Sequence, residues 1–207
     1  MGLVLANELA RYGGINFRIV EKNDSHSTWS KALMITSRTM NILDDAGLHH
    51  EILSKATFVE GLDVNFNQKP LGSLTMTPDV APAVHYPFPT VLPQPDVEEA
   101  FGNVLVSRGV KIEWGKEVVS VQCKEGDEFA EAILSSGERI RAKYIVGCDG
   151  AHSLVRHAHP DWKFEGRPVD VLWAQCDGYI ADPKVPTTRG AIYIGSTGMN
   201  LALIFPY

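Results

Sequence analysis

The 207-residue chain is 44% apolar and 21% charged, an ordinary globular composition with room for one sizeable domain, or one domain and part of a second. Its formal net charge of −6, with no basic run, argues against nucleic acid or an anionic membrane surface as partner. No stretch approaches a membrane span, the N-terminus lacks the basic region of a signal peptide, and Cys123, Cys148 and Cys176 show no CxxC spacing. Reduced thiols in a cytoplasmic protein are expected.

"MGLVLANELARYGG" sets Leu3, Val4, Leu5, Leu9 and Ala10 among polar Asn7, Glu8 and Arg11, the spacing of an amphipathic helix closed by Gly13 and Gly14. Asn16 to Val20 reads as a strand that stops at Glu21. "SRTMNILDDA", Ser37 to Ala46, reads as a helix closed by Gly47. "GLDVNFNQKPLGSLTM" predicts a hairpin turning near Asn67 to Lys69, and a proline-rich passage follows from Pro78 to Pro95. "PDVEEAFGNVLVSRG" predicts a helix with Pro95 and Asp96 at its start and Gly109 past its end.

"VKIEW" is a short strand, and "EVVSVQCKEGDEFAEAIL" reads as two antiparallel strands around Glu125 to Asp127. "ERIRAKYIVGCDG" reads as a buried strand that delivers Asp149, between Gly147 and Gly150, to its carboxyl end, with a helix after it. From Pro160 the pattern is all-β. Its last apolar run reaches Tyr207 without a closing turn, so the chain is expected to stop inside a domain.

A helix, a glycine turn and a strand ending in an acid form the second half of a dinucleotide-binding βαβ unit. Glu21 stands about 20 residues after Gly2, where such an acid accepts a ribose hydroxyl; a solvated surface charge is the competing reading. Asp149 stands where open α/β sheets place ligands; its competing reading is a cap on a helix opening near Ala151. His152, His157, His159 and Asp161 crowd one short stretch without a known metal-ligand spacing, so no metal is expected. Trp29, Trp114, Trp162 and Trp173 are expected in the core, and His49, His50 and His85 on the surface or in loops.

Four stretches carry a resemblance: "GLVLANELARYGGINFRIVEK", "SKALMITSRTMNILDDAGL", "LPQPDVEEAF" and "YIVGCDGAHSLVR". In this order they resemble segments of the FAD-dependent aromatic hydroxylases, the single-component flavoprotein monooxygenases of the p-hydroxybenzoate and phenol hydroxylase type. The resemblance implies an α/β fold with a Rossmann-like FAD-binding domain over residues 1–159. That domain would be incomplete, its first strand missing, and would carry a substrate-side insertion near 58–92. The beginning of a substrate-binding β-sheet, truncated, would follow over 160–207.

The resemblance further implies FAD as cofactor, NAD(P)H as co-substrate, and hydroxylation of a small phenolic or aromatic substrate with O2. Gly2 would open the helix behind the glycine loop, Glu21 would hold the adenosine ribose, and Lys22 would lie beside it. Lys31 and Ala32 would begin the segment that wraps the flavin. Lys31 replaces the family's usual arginine, keeping the charge without the planar fork. Arg38 matches the family pattern, although an ion pair with a neighbouring carboxylate explains it equally. Gln94 would hydrogen-bond the cofactor, Asp149 and Gly150 would form the turn that approaches it, and Arg156 would steady this turn or line the path of the nicotinamide cofactor.

No catalytic residue is assigned by the resemblance. Two readings of different class follow. One is a hydroxylating flavoenzyme. The other is a truncated, non-catalytic or repurposed fragment that does not retain FAD and binds a small aromatic or a partner chain. An NAD-dependent dehydrogenase leaves Gln94 and Asp149 without a role.

Overall fold

The computed structural model describes residues 1–29, 34–77, 85–123, 126–159, 161–167, 174–182, 187–195 and 201–206. In chain order α1 spans Gly2–Tyr12, β1 Ile19–Val20, β2 Met34–Ile35, α2 Ser37–Asp45, α3 His49–Leu53, β3 Thr57–Phe58, β4 Gly61–Phe66, β5 Lys69–Thr75 and β6 Thr90–Val91. Then come α4 Gln94–Ser107, β7 Ile112–Glu113, β8 Val118–Gln122, β9 Ala130–Leu134, β10 Arg139–Ala142, α5 Leu154–His157, β11 Arg189–Ile194 and β12 Leu201–Ile204. Two compact units form, each from two stretches of sequence: Met1–Ser25 with Arg108–Gly178, and His26–Ser107 with Tyr179–Tyr207.

In the first unit α1 ends as its sequence dictates. Gly13 takes φ 71°, a left-handed conformation that suits glycine, and its N–H returns to Leu9 O. Ala6 and Asn7 are the residues α1 buries, and Arg108 Nη1 donates to the Asn7 carbonyl at 2.9 Å, so the buried amide residue is not left unpaired. The strand expected over Asn16 to Val20 contracts to β1, paired in parallel with β7. β8, β9 and β10 form an antiparallel meander whose buried face is Ala130, Ala132 and Leu134.

The strand expected to continue through Tyr144 to Val146 is absent. Only Arg139–Ala142 of that run is β-structure; residues 144–150 make no ladder, and Tyr144 and Val146 are 84% and 64% exposed. Apolar residues of this kind suit a strand, but a ladder exists only when a neighbour takes its N–H and C=O groups. Among the described residues no strand runs alongside this one.

The second unit holds most of the apolar core. Met40 and Leu43 of α2, Ile52 of α3, Val91 of β6, and Ala100, Phe101 and Leu105 of α4 are all buried, with Leu48 and Val59 between them. Thr36 caps α2 by accepting from Thr39 N–H at 3.4 Å. The hairpin turns where the sequence places it: Asn67 and Gln68 have φ 47° and 65°, the two positive values of a tight two-residue connection. β4 also pairs in parallel with β11, giving a four-stranded sheet in the order β12-β11-β4-β5. Residues 61–75 and 189–204, far apart in the chain, therefore share one sheet.

Strand register gives that sheet an apolar face, with Leu62, Val64, Phe66, Leu74, Ile192 and Ile194, and a polar face, with Asp63, Ser73 and Arg189. Arg189 Nη2 donates to Asp63 Oδ1 at 2.7 Å and to the Ser73 hydroxyl, which in turn bonds Asp63. Gly61 makes room for this guanidinium: a Cβ there would lie 2.3 Å from Arg189 Nη1 and 2.5 Å from the Leu74 carbonyl.

Two expectations about aromatic residues are corrected. Trp29 and Trp162 are 79% and 58% exposed rather than in the core; Trp162 stacks on His159 with ring centroids 5.1 Å apart. His49 is not a surface loop residue. It sits on α3 with its side chain 14% exposed, Nδ1 3.0 Å from Asp44 Oδ1, and its ring against His50. Trp173 lies outside the described residues. No helix among the described residues is long and apolar enough to cross a membrane.

Candidate cofactor-binding site

Glu21 follows β1, where the parallel pairing with β7 continues as loop-to-loop hydrogen bonds. Glu21 N–H donates to Glu113 O at 3.0 Å, Lys116 N–H to Glu21 O at 2.8 Å, and Gly115 N–H to Asn23 O at 3.0 Å. Gly115, at φ 66°, closes this seam. The half-buried Glu21 carboxylate is held by its own loop: Oε1 accepts from the Asn23 N–H at 3.0 Å and from Asn23 Nδ2 at 2.6 Å. Lys22 is exposed beside it.

An open cavity of about 340 Å³ runs along β7, lined by Lys111, Ile112, Glu113, Trp114 and Lys116. Its charges are balanced: Arg18 grips Glu113 through two 2.6 Å bonds, and Glu138 joins Arg18 at 2.8 Å to Lys116 at 3.2 Å. The Arg18 guanidinium holds the Glu113 carboxyl below the usual carboxylate range.

The start of α1 carries no side-chain cap and no acid in its first turn, so its leading N–H groups face no carboxylate of their own helix. Such an end favours an anion. Gly2 stands against Cys148; a Cβ on Gly2 would meet the Cys148 Cβ at 3.5 Å, an ordinary contact. The start of α1 and the Asp149 turn are thus neighbours.

Asp149 is occupied within the protein. Its Oδ2 accepts from Leu154 N–H at 2.6 Å and Val155 N–H at 3.3 Å, so it caps α5, whose own N-cap Ser153 accepts from Arg156 N–H at 3.1 Å. Burial raises its pKa, but hydrogen bonds from Ser153 and from the Val155, Asp149 and Leu154 amides outweigh that and hold it below the ordinary value. The glycines serve the turn itself. Gly150 has φ 79°, and a Cβ on Gly147 would lie 2.6 Å from Val155 Cβ. Arg156 ties the same turn by donating from Nη2 to the Ala151 carbonyl at 2.5 Å, its guanidinium 4.2 Å from the Phe164 ring centroid.

In the second unit Gln94 is the first residue of α4, and its Nε2 donates to Glu98 Oε1 at 2.7 Å. Arg38 is exposed on α2, and among the described residues it makes no ion pair. Lys31 and Ala32 lie outside the described residues. The structure groups Gly2, Asp149, Gly150 and Arg156 about one turn and sets Glu21 on the β1–β7 seam. Sequence reasoning missed Asn23, Ser153 and Glu98. The Gln94–Glu98 spacing of four on a helix was a readable signal; the Asn23 contact had none beyond proximity.

Residues 1–203 match the family model described as the FAD binding domain. The 6-methylpretetramide 4-monooxygenase of Streptomyces rimosus is 30% identical over 210 residues, covering 100% of this chain and 36% of that protein. The rifampicin monooxygenase of Rhodococcus hoagii is 30% identical over 159 residues, 75% of this chain and 30% of that protein. Among solved structures, P. aeruginosa PqsL in complex with 2-aminobenzoylacetate matches 99% of this chain and 54% of its own with a TM-score of 0.79 at 21% identity, a likeness of fold. The chain spans about a third of the length of these curated relatives. Motifs, fold and family match agree: the chain belongs to the FAD binding domain family and has its α/β, Rossmann-like fold.

Proposed function

We propose that this chain is the FAD-holding part of a monooxygenase that hydroxylates a phenolic or other aromatic substrate with NAD(P)H and O2. The observation that carries the reading is the Glu21 carboxylate, fixed by Asn23 on the β1–β7 seam beside a cavity lined by Trp114. The donor set fits the cofactor: an acid for ribose hydroxyls and an uncapped helix start for a pyrophosphate. Two relatives named as monooxygenases support the activity, and a relative named pentachlorophenol 4-monooxygenase supports a phenolic substrate class.

When bound, the flavin supplies the redox chemistry that NAD(P)H drives and O2 completes. The protein's part is to bind and orient. Glu21 accepts from the ribose, with Lys22 alongside, and the α1 start at Gly2 offers N–H groups to the pyrophosphate. The turn of Asp149 and Gly150, braced by Arg156, shapes the neighbouring wall. Gln94 is assigned to hydrogen-bond the cofactor, and Lys31, Ala32 and Arg38 to the segment that wraps the flavin. Residues 1–159 serve chiefly FAD, and the sheet of β4, β5, β11 and β12 serves the substrate. The proposal places the protein in the cytoplasm, where Cys123, Cys148 and Cys176, all exposed and unpaired, stay reduced.

The test supplies FAD, NADH or NADPH and a panel of phenols to the purified chain under 18O2. The proposal expects coenzyme oxidation stimulated by a phenol and a hydroxylated product bearing the label. Flavin bound at stoichiometric level, with neither stimulation nor labelled product across the panel, would overturn the hydroxylase reading.

A further inference from the structure

Glu138 touches no residue assigned to the cofactor, yet a closed ring of bonds runs from it to Glu21 and back, all within the first unit. Its two carboxylate oxygens serve two cations: Oε1 lies 2.8 Å from Arg18 Nη1, and Oε2 accepts from Lys116 Nζ at 3.2 Å. Arg18 also holds Glu113 through two 2.6 Å bonds. Glu113 and Lys116 are the residues whose backbones hold Glu21. The Glu113 carbonyl accepts the Glu21 N–H at 3.0 Å, and the Lys116 N–H donates to the Glu21 carbonyl at 2.8 Å.

The seam needs such support. β1 and β7 have two residues each and form a sheet of two strands, and a two-stranded pair is marginal by itself. Arg18 and Glu21 flank β1, whereas Glu113 ends β7 and Lys116 follows it, so the side-chain half of the ring crosses the same seam as the backbone half. Glu138 comes from neither strand. It stands at the turn between β9 and β10, where its carbonyl accepts from Leu134 N–H at 2.9 Å and Gly137 takes φ 87°.

An isolated exposed ion pair contributes little, but a bidentate arginine inside a network of several charges is the exception. Two cations and two acids balance here, and Glu138 is the acid bonded to both cations. The Arg18 guanidinium, with Lys116 adding to it, holds the Glu138 carboxyl below the usual carboxylate range, so it is ionised at neutral pH.

We infer that Glu138 is a positioning residue for the cofactor's adenosine ribose: by holding Arg18 and Lys116 together across the β1–β7 seam, it fixes the backbone from which the Glu21 carboxylate reaches the ribose. This deepens the proposed function and rests on its assignment of Glu21 to FAD. Asn23 sets the direction of the carboxylate, and the ring sets where its backbone stands.

Equilibrium dialysis measures FAD affinity for the unmutated chain, Glu138→Gln, Glu21→Ala, the Glu138→Gln/Glu21→Ala double variant and Glu131→Gln. Glu138→Gln keeps the shape and removes the charge, and is expected to weaken binding about threefold, the order of one ion pair in a network. In the Glu21→Ala background the same substitution should change nothing, because the residue it positions has lost its carboxylate. Glu131→Gln breaks a pair with Arg139 on the same meander and alters the net charge equally, and it should leave affinity unchanged. A loss that persists without the Glu21 carboxylate, an equal loss from Glu131→Gln, or no loss in Glu138→Gln would overturn the inference.

A ligand-free readout accompanies it. Hydrogen exchange at the Glu21 and Lys116 amides of the free chain should quicken in Glu138→Gln, while amides of the β8–β9 ladder keep their rates. Unchanged exchange at both amides would refute the positioning. Quickened exchange in a protein whose unmutated form binds no FAD would defeat the flavin assignment, and this role with it, while leaving the ring standing.

Discussion

Asn23 gives both its backbone N–H and its side-chain Nδ2 to a single oxygen of Glu21, at 3.0 and 2.6 Å. One oxygen of the carboxylate is thereby immobilised by a residue two positions along the chain. The whole loop is then sewn to residues 113–116 through backbone bonds. Preorganisation of this kind lowers the cost of ordering the acid when a ligand arrives.

Glu21→Ala should therefore weaken FAD binding by about tenfold or more, and Asn23→Ala by a smaller factor of about three. Arg11→Ala, which removes an exposed ion pair with Glu8, should leave affinity unchanged. Flavin fluorescence titration distinguishes these. Equal affinity in Glu21→Ala and the unmutated chain would remove Glu21 from the site.

The three glycines near the Asp149 turn should separate by cause. Gly150→Ala forces a φ of 79° on an L-residue and should cost about 1 kcal/mol. Gly147→Ala drives a Cβ to 2.6 Å from Val155 and should cost more, because two fixed Cβ atoms cannot both yield. Gly2→Ala meets only an ordinary 3.5 Å contact and should stay within about 0.5 kcal/mol of the unmutated chain. Urea midpoints test the order.

Asp149→Ala uncaps α5 and should cost about 1 kcal/mol, whereas Asp161→Ala, at an exposed position, should cost little. In flavin binding, Asp149→Ala should likewise lose more than Asp161→Ala; equal losses would sink the assigned role of this turn. The pH dependence has a definite sign. Asp149 titrates below its ordinary value of 3.8 in the folded chain. As pH falls, the unfolded chain takes the proton first, so the stabilisation is complete above the ordinary value and is lost as pH drops through the folded one. Asp149→Asn should flatten that acid limb, read from urea midpoints at stepped pH. An unchanged limb would show that the cap contributes nothing in solution.

The sheet of the second unit makes its own prediction. Gly61→Ala would press a Cβ onto the Arg189 guanidinium and onto the Leu74 backbone carbonyl. The guanidinium end can move, but the carbonyl belongs to the paired strand β5, so the variant should lose about 2 kcal/mol or more. Asp63→Asn, which keeps the shape and removes the charge, should lose less. A thermal melt showing Gly61→Ala as stable as the unmutated chain would deny the close packing at this position.

Local signals were legible and partner-dependent ones were not. Gly13, Gly47 and Gly109 mark helix ends because positive φ is a property of single residues, and Asn67-Gln68 marks the hairpin for the same reason. Tyr144 to Val146 misled because apolar residues declare suitability for a sheet without naming the strand that would pair with it. The five-residue α3, with two histidines and one well-buried isoleucine, is too short for a periodicity to register. The union of β4 with β11 depends on residues 126 apart, such as Asp63 and Arg189, whose pairing no spacing announces.

At the site, the acids at Glu21 and Asp149 stood out because each follows an apolar run and a turn. What they touch did not. Asp149 reaches five and six residues ahead to amides that any sequence would carry. Asn23 is a polar residue of unremarkable type whose contact with Glu21 emerges only once the loop is built, whereas the spacing of four between Gln94 and Glu98 could be read from the helix pattern.

The measurement that bears most directly on the central claim is FAD stoichiometry, from the visible spectrum of the purified 207-residue chain after incubation with excess FAD and desalting. The account predicts close to one flavin per chain, lost from Glu21→Ala under the same protocol. A folded chain that retains no flavin would contradict it, and would leave the reading of a chain that binds a small aromatic or a partner without FAD.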